Sequence, residues 1–179
     1  MIIQKSKFKG LFIIKPNLIE DKRGTFRRFF CAKEFRRKKI IFNLRQSNIS
    51  ENVEKHTLRG FHYQQKPYGE DKIITCIKGA IYNVVLDLRT NSRTFKKWIS
   101  IELSESNRIS LFIPKGCANA WLTLKKNTTL LYLHSEYYNP NYEQRVRYND
   151  PMFSVNWPHK PKVISFKDKN SKNYSTRGL

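Results

Sequence analysis

The sequence predicts an all-β chain, an antiparallel sandwich or barrel carrying one or two short helices. Two observations carry that expectation. Short runs rich in Ile, Val, Tyr and Thr recur at intervals of about ten residues. Glycine, proline and asparagine punctuate the gaps between them. In chain order, AKEFRRKK supplies helix formers near Ala32 to Arg37. Strands follow at KIITCIKG from Lys72, AIYNVVLDLR from Ala80, KWISIEL from Lys97, RISLFIP from Arg108 and TTLLYLHSEYY from Thr128. Turns fall at Lys78-Gly79, around Asn91-Ser92, and at Pro114-Lys115-Gly116, which breaks the strand before it. The closing DKNSKNYSTRGL is polar and aperiodic, so residues from about 170 to 179 read as a frayed or loosely docked tail. Neither a repeat nor a linker interrupts the pattern, and residues 1–179 are expected to form a single domain.

Composition narrows the class. A chain of 179 residues with 39% hydrophobic and 13% aromatic content can bury a substantial core. No apolar run approaches the roughly 18 residues that cross a bilayer, so membrane insertion is not expected. Charge scattered through MIIQKSKFKGLFII argues against a secretion signal. Cys31, Cys76 and Cys117 are few, odd in number and far apart, which suits reduced thiols and a cytoplasmic setting. The formal charge of +21 invites a nucleic-acid reading. Yet the basic residues are spread along the chain, as in KSKFKG, FRRKK and RTFKKW, and no nucleic-acid motif accompanies them. No specific nucleic-acid partner is expected; the positive field favours small anionic ligands such as a diphosphate.

Alternation sorts side chains onto faces. Lys72, Ile74 and Cys76 point one way along their strand; Leu130, Tyr132 and His134 share a face on theirs. Arg59 and His62 are three apart, which opposes them in a regular strand. A bulge at Gly60 between them would turn both into one cavity. The glycine-ended CIKGAI followed by IPKGCANAW has the outline of a cupin barrel. Metal-binding cupins use a His-x-His pair, a carboxylate and a later histidine. Here His62-Tyr63-Gln64 and Asn119 stand at those places, too few good ligands for a divalent metal. Proton chemistry without metal is the alternative. A neutral histidine can act as a base, a lysine beside a carbonyl can stabilise an enolate, and a tyrosine can return a proton from the other side. His62, Lys72 and Tyr132 supply those types. Taken singly, each has a plain reading: a packed histidine, an edge charge, a core aromatic. Arg23, Arg59 and Arg89 would be surface charges, and Asp168 in a polar segment would face solvent.

Eight segments in order raise the chemical reading. They are EDKRGTF (20–26), QSNIS (46–50), LRGFHYQ (58–64), DLRTNSRTFKKW (87–98), IPKGCANAW (113–121), LYLHSEYYNPNYE (131–143), NDPMFSVNWP (149–158) and FKDK (166–169). Together they resemble the dTDP-4-dehydrorhamnose 3,5-epimerase family, cupin-type jelly-roll enzymes of nucleotide-sugar biosynthesis. The resemblance implies that His62 is the catalytic base, Asp168 the carboxylate orienting it, Tyr132 the acid on the opposite face, and Lys72 the enolate stabiliser. It assigns Arg23, Gln46, Asn48, Arg59 and Glu143 to nucleotide, diphosphate and sugar. It further implies a homodimer with shared N-terminal strands, and no metal or organic cofactor. The implied reaction removes and returns protons at C5, and usually C3, of a 4-keto-6-deoxy sugar nucleotide in deoxysugar (rhamnose-like) biosynthesis. Two positions depart from the family pattern. Arg28 stands where a glutamate ends the DxRGxFxE stretch, reversing local charge, and Asn119 stands where the turn GFAHGF carries histidine. His134, on the Tyr132 face, either compensates for that histidine or simply packs. The alternative function is an inactive barrel serving as a sugar-nucleotide binding or assembly module. The intact set of His62, Lys72, Tyr132 and Asp168 argues against it.

Overall fold

The computed structural model describes residues 1–175. Two antiparallel sheets face one another as a jelly-roll barrel. The first joins β1 (Ile2–Lys5), β2 (Phe12–Lys15), β10 (Ser110–Ile113), β7 (Lys72–Lys78), β12 (Thr128–His134) and β5 (Gln46–Asn52), in that spatial order. The second runs β13 (Glu143–Arg145), β6 (Thr57–Gln64), β11 (Cys117–Thr123), β8 (Ala80–Asp87) and β9 (Trp98–Ser104), with β14 (Val163–Ile164) added in parallel to β6. A separate hairpin, β3 (Leu18–Asp21) and β4 (Gly24–Arg27), stands apart from both sheets. Two short helices complete the list, α1 (Ala32–Arg37) and α2 (Phe166–Lys169). The all-β jelly-roll expectation holds, and so do the predicted strands from Lys72 onward and the helix at 32–37.

Period-2 alternation builds three apolar layers. Ile74, Cys76, Leu111, Ile113, Leu130 and Trp121 fill the space between the sheets. Ile73 and Phe112, next to them in sequence, and Leu133 turn outward and pack under Phe35 of α1, with Phe42 and Ile14. Burying Phe35 completely contributes about 2–3 kcal/mol, enough to hold a helix of six residues that would not persist alone. On the other sheet Val84, Leu86, Ala118 and Ala120 turn outward beneath Phe153, Trp157 and Tyr174. That last residue corrects the loose-tail reading for residues 170–175. Tyr174 is 8% exposed and its N–H donates to Asp150 Oδ2 at 2.6 Å. One aromatic ring with a buried backbone bond outweighs the polarity around it; residues 176–179 lie outside the described part.

Arg89 is a structural residue rather than a surface charge. Its guanidinium donates to both oxygens of fully buried Asp87, at 2.8 Å each, and to the Lys9 carbonyl at 2.7 Å. The three cysteines are free thiols, and burial pushes Cys76 up to about 11 and Cys117 up to about 12.

Candidate active site

The two sheets leave a cavity of about 370 Å³ between them at one end of the barrel. Each wall contributes its own side chains. From the first sheet come Gln46 and Asn48 on β5, Lys72 on β7, and Tyr132 and His134 on β12. Strand register lines these up: Tyr132 opposes Asn48, and His134 sits between Gln46 and Lys72. From the second sheet come Arg59 and His62 on β6, Asn119 and Trp121 on β11, and Glu143 on β13.

Arg59 and His62 reach the same cavity because β6 is bulged where the sequence suggested. Asn119 pairs with His62 and Trp121 with Arg59, so one extra residue is accommodated on β6. Gly60 sits there at φ 109°, and a Cβ would meet the Asn119 carbonyl oxygen at 2.5 Å and Ala120 Cα at 2.7 Å. Only glycine fits both the backbone conformation and the close approach.

His62 is paired across the chain. Its Nε2 lies 2.7 Å from Asp168 Oδ1, and Asp168 also accepts from the Gly60 N–H at 3.3 Å. Asp168 arrives on α2, which the Ser165 side chain caps by accepting from the Asp168 N–H. Its carboxylate is nearly buried, with the side chain 4% exposed. Burial pushes this carboxyl up, but His62, the Gly60 N–H and Arg145 outweigh it and hold it below its ordinary value. An Nε2–H donated to Asp168 leaves the imidazole lone pair on Nδ1. Arg145 approaches Asp168 Oδ1 at 2.5 Å and His62 Nε2 at 3.2 Å, and also binds Glu143 at 2.8 Å. A guanidinium only donates, so its hydrogens serve the carboxylates.

On the facing wall, Lys72 Nζ pairs with Glu70 Oε1 at 2.9 Å, and His134 Nδ1 pairs with Glu70 Oε2 at 2.7 Å. Burial raises the Glu70 carboxyl, yet His134 and Lys72 together hold it below its ordinary value. The Tyr132 hydroxyl bonds to Trp121 Nε1 at 2.5 Å, and burial pushes it well above the ordinary phenol range. Arg59 donates to Asn52 Oδ1 at 3.1 Å and lies over the Trp121 ring.

Most of the expected residues therefore meet. Arg23 and Arg28 do not. Arg23, at the tip of the β3–β4 hairpin, is 90% exposed and pairs with Asp21; Arg28 pairs with Glu34. Neither lines the cavity of its own chain, because the hairpin projects away from the barrel. Asn119 does reach the cavity, but its amide nitrogen is committed inward to Asn83 Oδ1 at 2.8 Å and the Val84 carbonyl at 3.0 Å. His134 lines the cavity instead of packing. Sequence reasoning missed Glu70, Trp121 and Arg145. Each had a signal in strand alternation or spacing, since Glu70 lies two before Lys72, Trp121 two after Asn119 and Arg145 two after Glu143. Among the described residues, no group of three or more His, Cys, Asp or Glu is placed to hold a metal ion.

An imidazole–carboxylate pair on one wall and a phenol with an ammonium on the other place this jelly roll among the acid–base cupin epimerases. Comparison with known proteins makes the assignment particular. The pattern described as dTDP-4-dehydrorhamnose 3,5-epimerase matches residues 5–176, and the chain belongs to that family. A relative of that name from Sinorhizobium fredii is 34% identical over 169 residues, covering 94% of this chain and 87% of the relative. The Bacillus anthracis dTDP-4-dehydrorhamnose 3,5-epimerase crystal structure, with TDP and PPi bound, superposes with a TM-score of 0.94 at 32% identity, covering 97% of this chain and 99% of that one. The Legionella pneumophila dTDP-6-deoxy-D-glucose-3,5-epimerase in complex with dTDP-4-keto-L-rhamnose gives 0.90 at 32% identity, covering 96% and 92%.

Proposed function

We propose that the protein is a carbohydrate epimerase, an isomerase acting on a dTDP-linked 4-keto-6-deoxy sugar in deoxysugar biosynthesis, with residues 1–179 working as one domain. The observation that carries this reading is that His62 and Tyr132 line one cavity from opposite sheets. A planar sugar enolate between those walls has one face toward each. His62 Nδ1 takes the proton beside the C4 ketone, and Asp168 stabilises the imidazolium that forms. Lys72 faces the C4 oxygen as its negative charge grows. Tyr132 returns a proton to the other face, and the carbon inverts. Arg59, Gln46, Asn48 and Glu143 hold nucleotide, diphosphate and sugar around the mouth.

The same reading makes the working unit a homodimer. Leu18, Ile19 and Phe26 of the β3–β4 hairpin are exposed, and so are Ile49 on the edge strand β5 and Val53 just beyond its end. Covering these surfaces against a second copy, with the hairpin crossing over, brings Arg23 toward the partner's cavity. Asn119 changes the cavity wall and leaves the acid–base set in place, while Arg28 stands outside the cavity on Glu34. NMR in D₂O against dTDP-, GDP-, UDP- and CDP-4-keto sugars tests substrate and exchanged carbons together. His62→Ala is expected to abolish deuterium incorporation; full turnover by that variant refutes its role as base.

A further inference from the structure

Trp121 is 3% exposed, and its indole nitrogen lies 2.5 Å from the Tyr132 oxygen. An indole nitrogen can only donate. The Tyr132 oxygen is therefore the acceptor in this bond, and its own hydrogen is left to be donated elsewhere. The open side of that hydroxyl is the cavity that Trp121 and Tyr132 both line. Behind the pair, the Arg59 guanidinium carbon sits 6.0 Å from the Trp121 ring centroid, a cation over a π face.

We propose that Trp121 is a positioning residue for the epimerisation: its N–H aims the Tyr132 O–H at the sugar and stabilises the oxygen as the proton leaves. This rests on the reading of Tyr132 as the acid. The step balances as follows. His62 Nδ1 binds the proton removed from carbon, and the C–H electron pair moves into the C4 ketone to give the enolate. The Tyr132 O–H bond then breaks, and its hydrogen forms the new C–H bond on the other face as the enolate pair returns to carbon. The O–H pair stays on oxygen as tyrosinate against the Trp121 N–H. Water returns a proton to Tyr132 and accepts the one held by His62, so nothing is consumed. Burial makes tyrosinate hard to form in this cavity, and the Trp121 bond and the Arg59 charge act against that. Losing a hydrogen bond to a charged oxygen costs about ten-fold in rate or more.

Three proteins separate the possibilities: wild type, Trp121→Phe and Tyr132→Phe, each followed in D₂O for exchange and for inversion at the same carbon. Trp121→Phe is expected to lose inversion about ten-fold further than exchange. A genetically encoded 3,5-difluorotyrosine at position 132, a more acidic phenol, is expected to restore part of that loss in the Trp121→Phe background. If Trp121→Phe lowers exchange and inversion together without rescue, or leaves their ratio at the wild-type value, the positioning role is overturned and the acid stands. If Tyr132→Phe inverts like wild type, the acid assignment falls, and this inference with it. Exchange activity itself reports that each variant is folded.

Discussion

Asp168→Asn removes the charge beside the proposed base and, with the amide oxygen kept on the Gly60 N–H, turns an NH₂ group toward His62 Nε2 and Arg145. The amide keeps the shape and an acceptor oxygen for the Gly60 N–H, so α2 is expected to stay docked. At an effective dielectric of about 20, a carboxylate about 4 Å from the centre of an imidazolium stabilises it by about 4 kcal/mol. His62 is 30% exposed, so solvent takes part of that, leaving about 2–4 kcal/mol. Arg145 adds to the loss: its guanidinium lies 3.2 Å from His62 Nε2 and would face the ring with no anion between. Proton abstraction is expected to slow by about 30- to 1000-fold. Deuterium exchange into the sugar, followed by NMR, reads the loss. A variant within about three-fold of wild type would refute the pairing argument.

Other outcomes follow from the same geometry. Arg59→Ala removes a charged donor from the cavity wall and is expected to weaken dTDP binding by about 10- to 100-fold in calorimetry; unchanged affinity removes Arg59 from the phosphate contacts. Glu70→Gln keeps an acceptor but frees Lys72 and His134 from their shared anion, and exchange is expected to fall about ten-fold; exchange at the wild-type rate would show that Lys72 needs no anchor. Acid stability should track Asp87, held down to about 2 by Arg89, Ser92 and Thr94 against the cost of its burial. A folded value below the unfolded one gives stability that is present above about pH 4 and lost as pH falls toward 2, about 2 kcal/mol in all. The melting temperature of Asp87→Asn should sit well below wild type at pH 7 and converge with it in acid; parallel curves would contradict this.

Legibility in the sequence followed the physics of each element. The strands from Lys72 to His134 could be read because β-branched runs alternate between two buried faces. β5, QSNISEN, carries almost no such signal; its register comes from pairing with β12, over eighty residues later in the chain. Gly60 was readable because two functional residues stood an odd number of positions apart around it. Asp168 was readable through family resemblance alone. Its burial depends on a strap that returns to β6 from 106 residues away, and local polarity says the opposite. Arg23 was assigned to a pocket that its own chain does not let it reach, since its motif sits on a hairpin that joins neither sheet.

The strap that carries Asp168 closes the barrel last. β14 lies along the Thr57–Leu58 end of β6, α2 sets the carboxylate behind His62, and Tyr174 anchors the remainder on Asp150. Every strand of the two sheets except β14 is in place by Arg145. A chain cut off before residue 160 would keep most of both sheets and lack the carboxylate that faces His62. The imidazole–carboxylate pair exists only once the strap has docked.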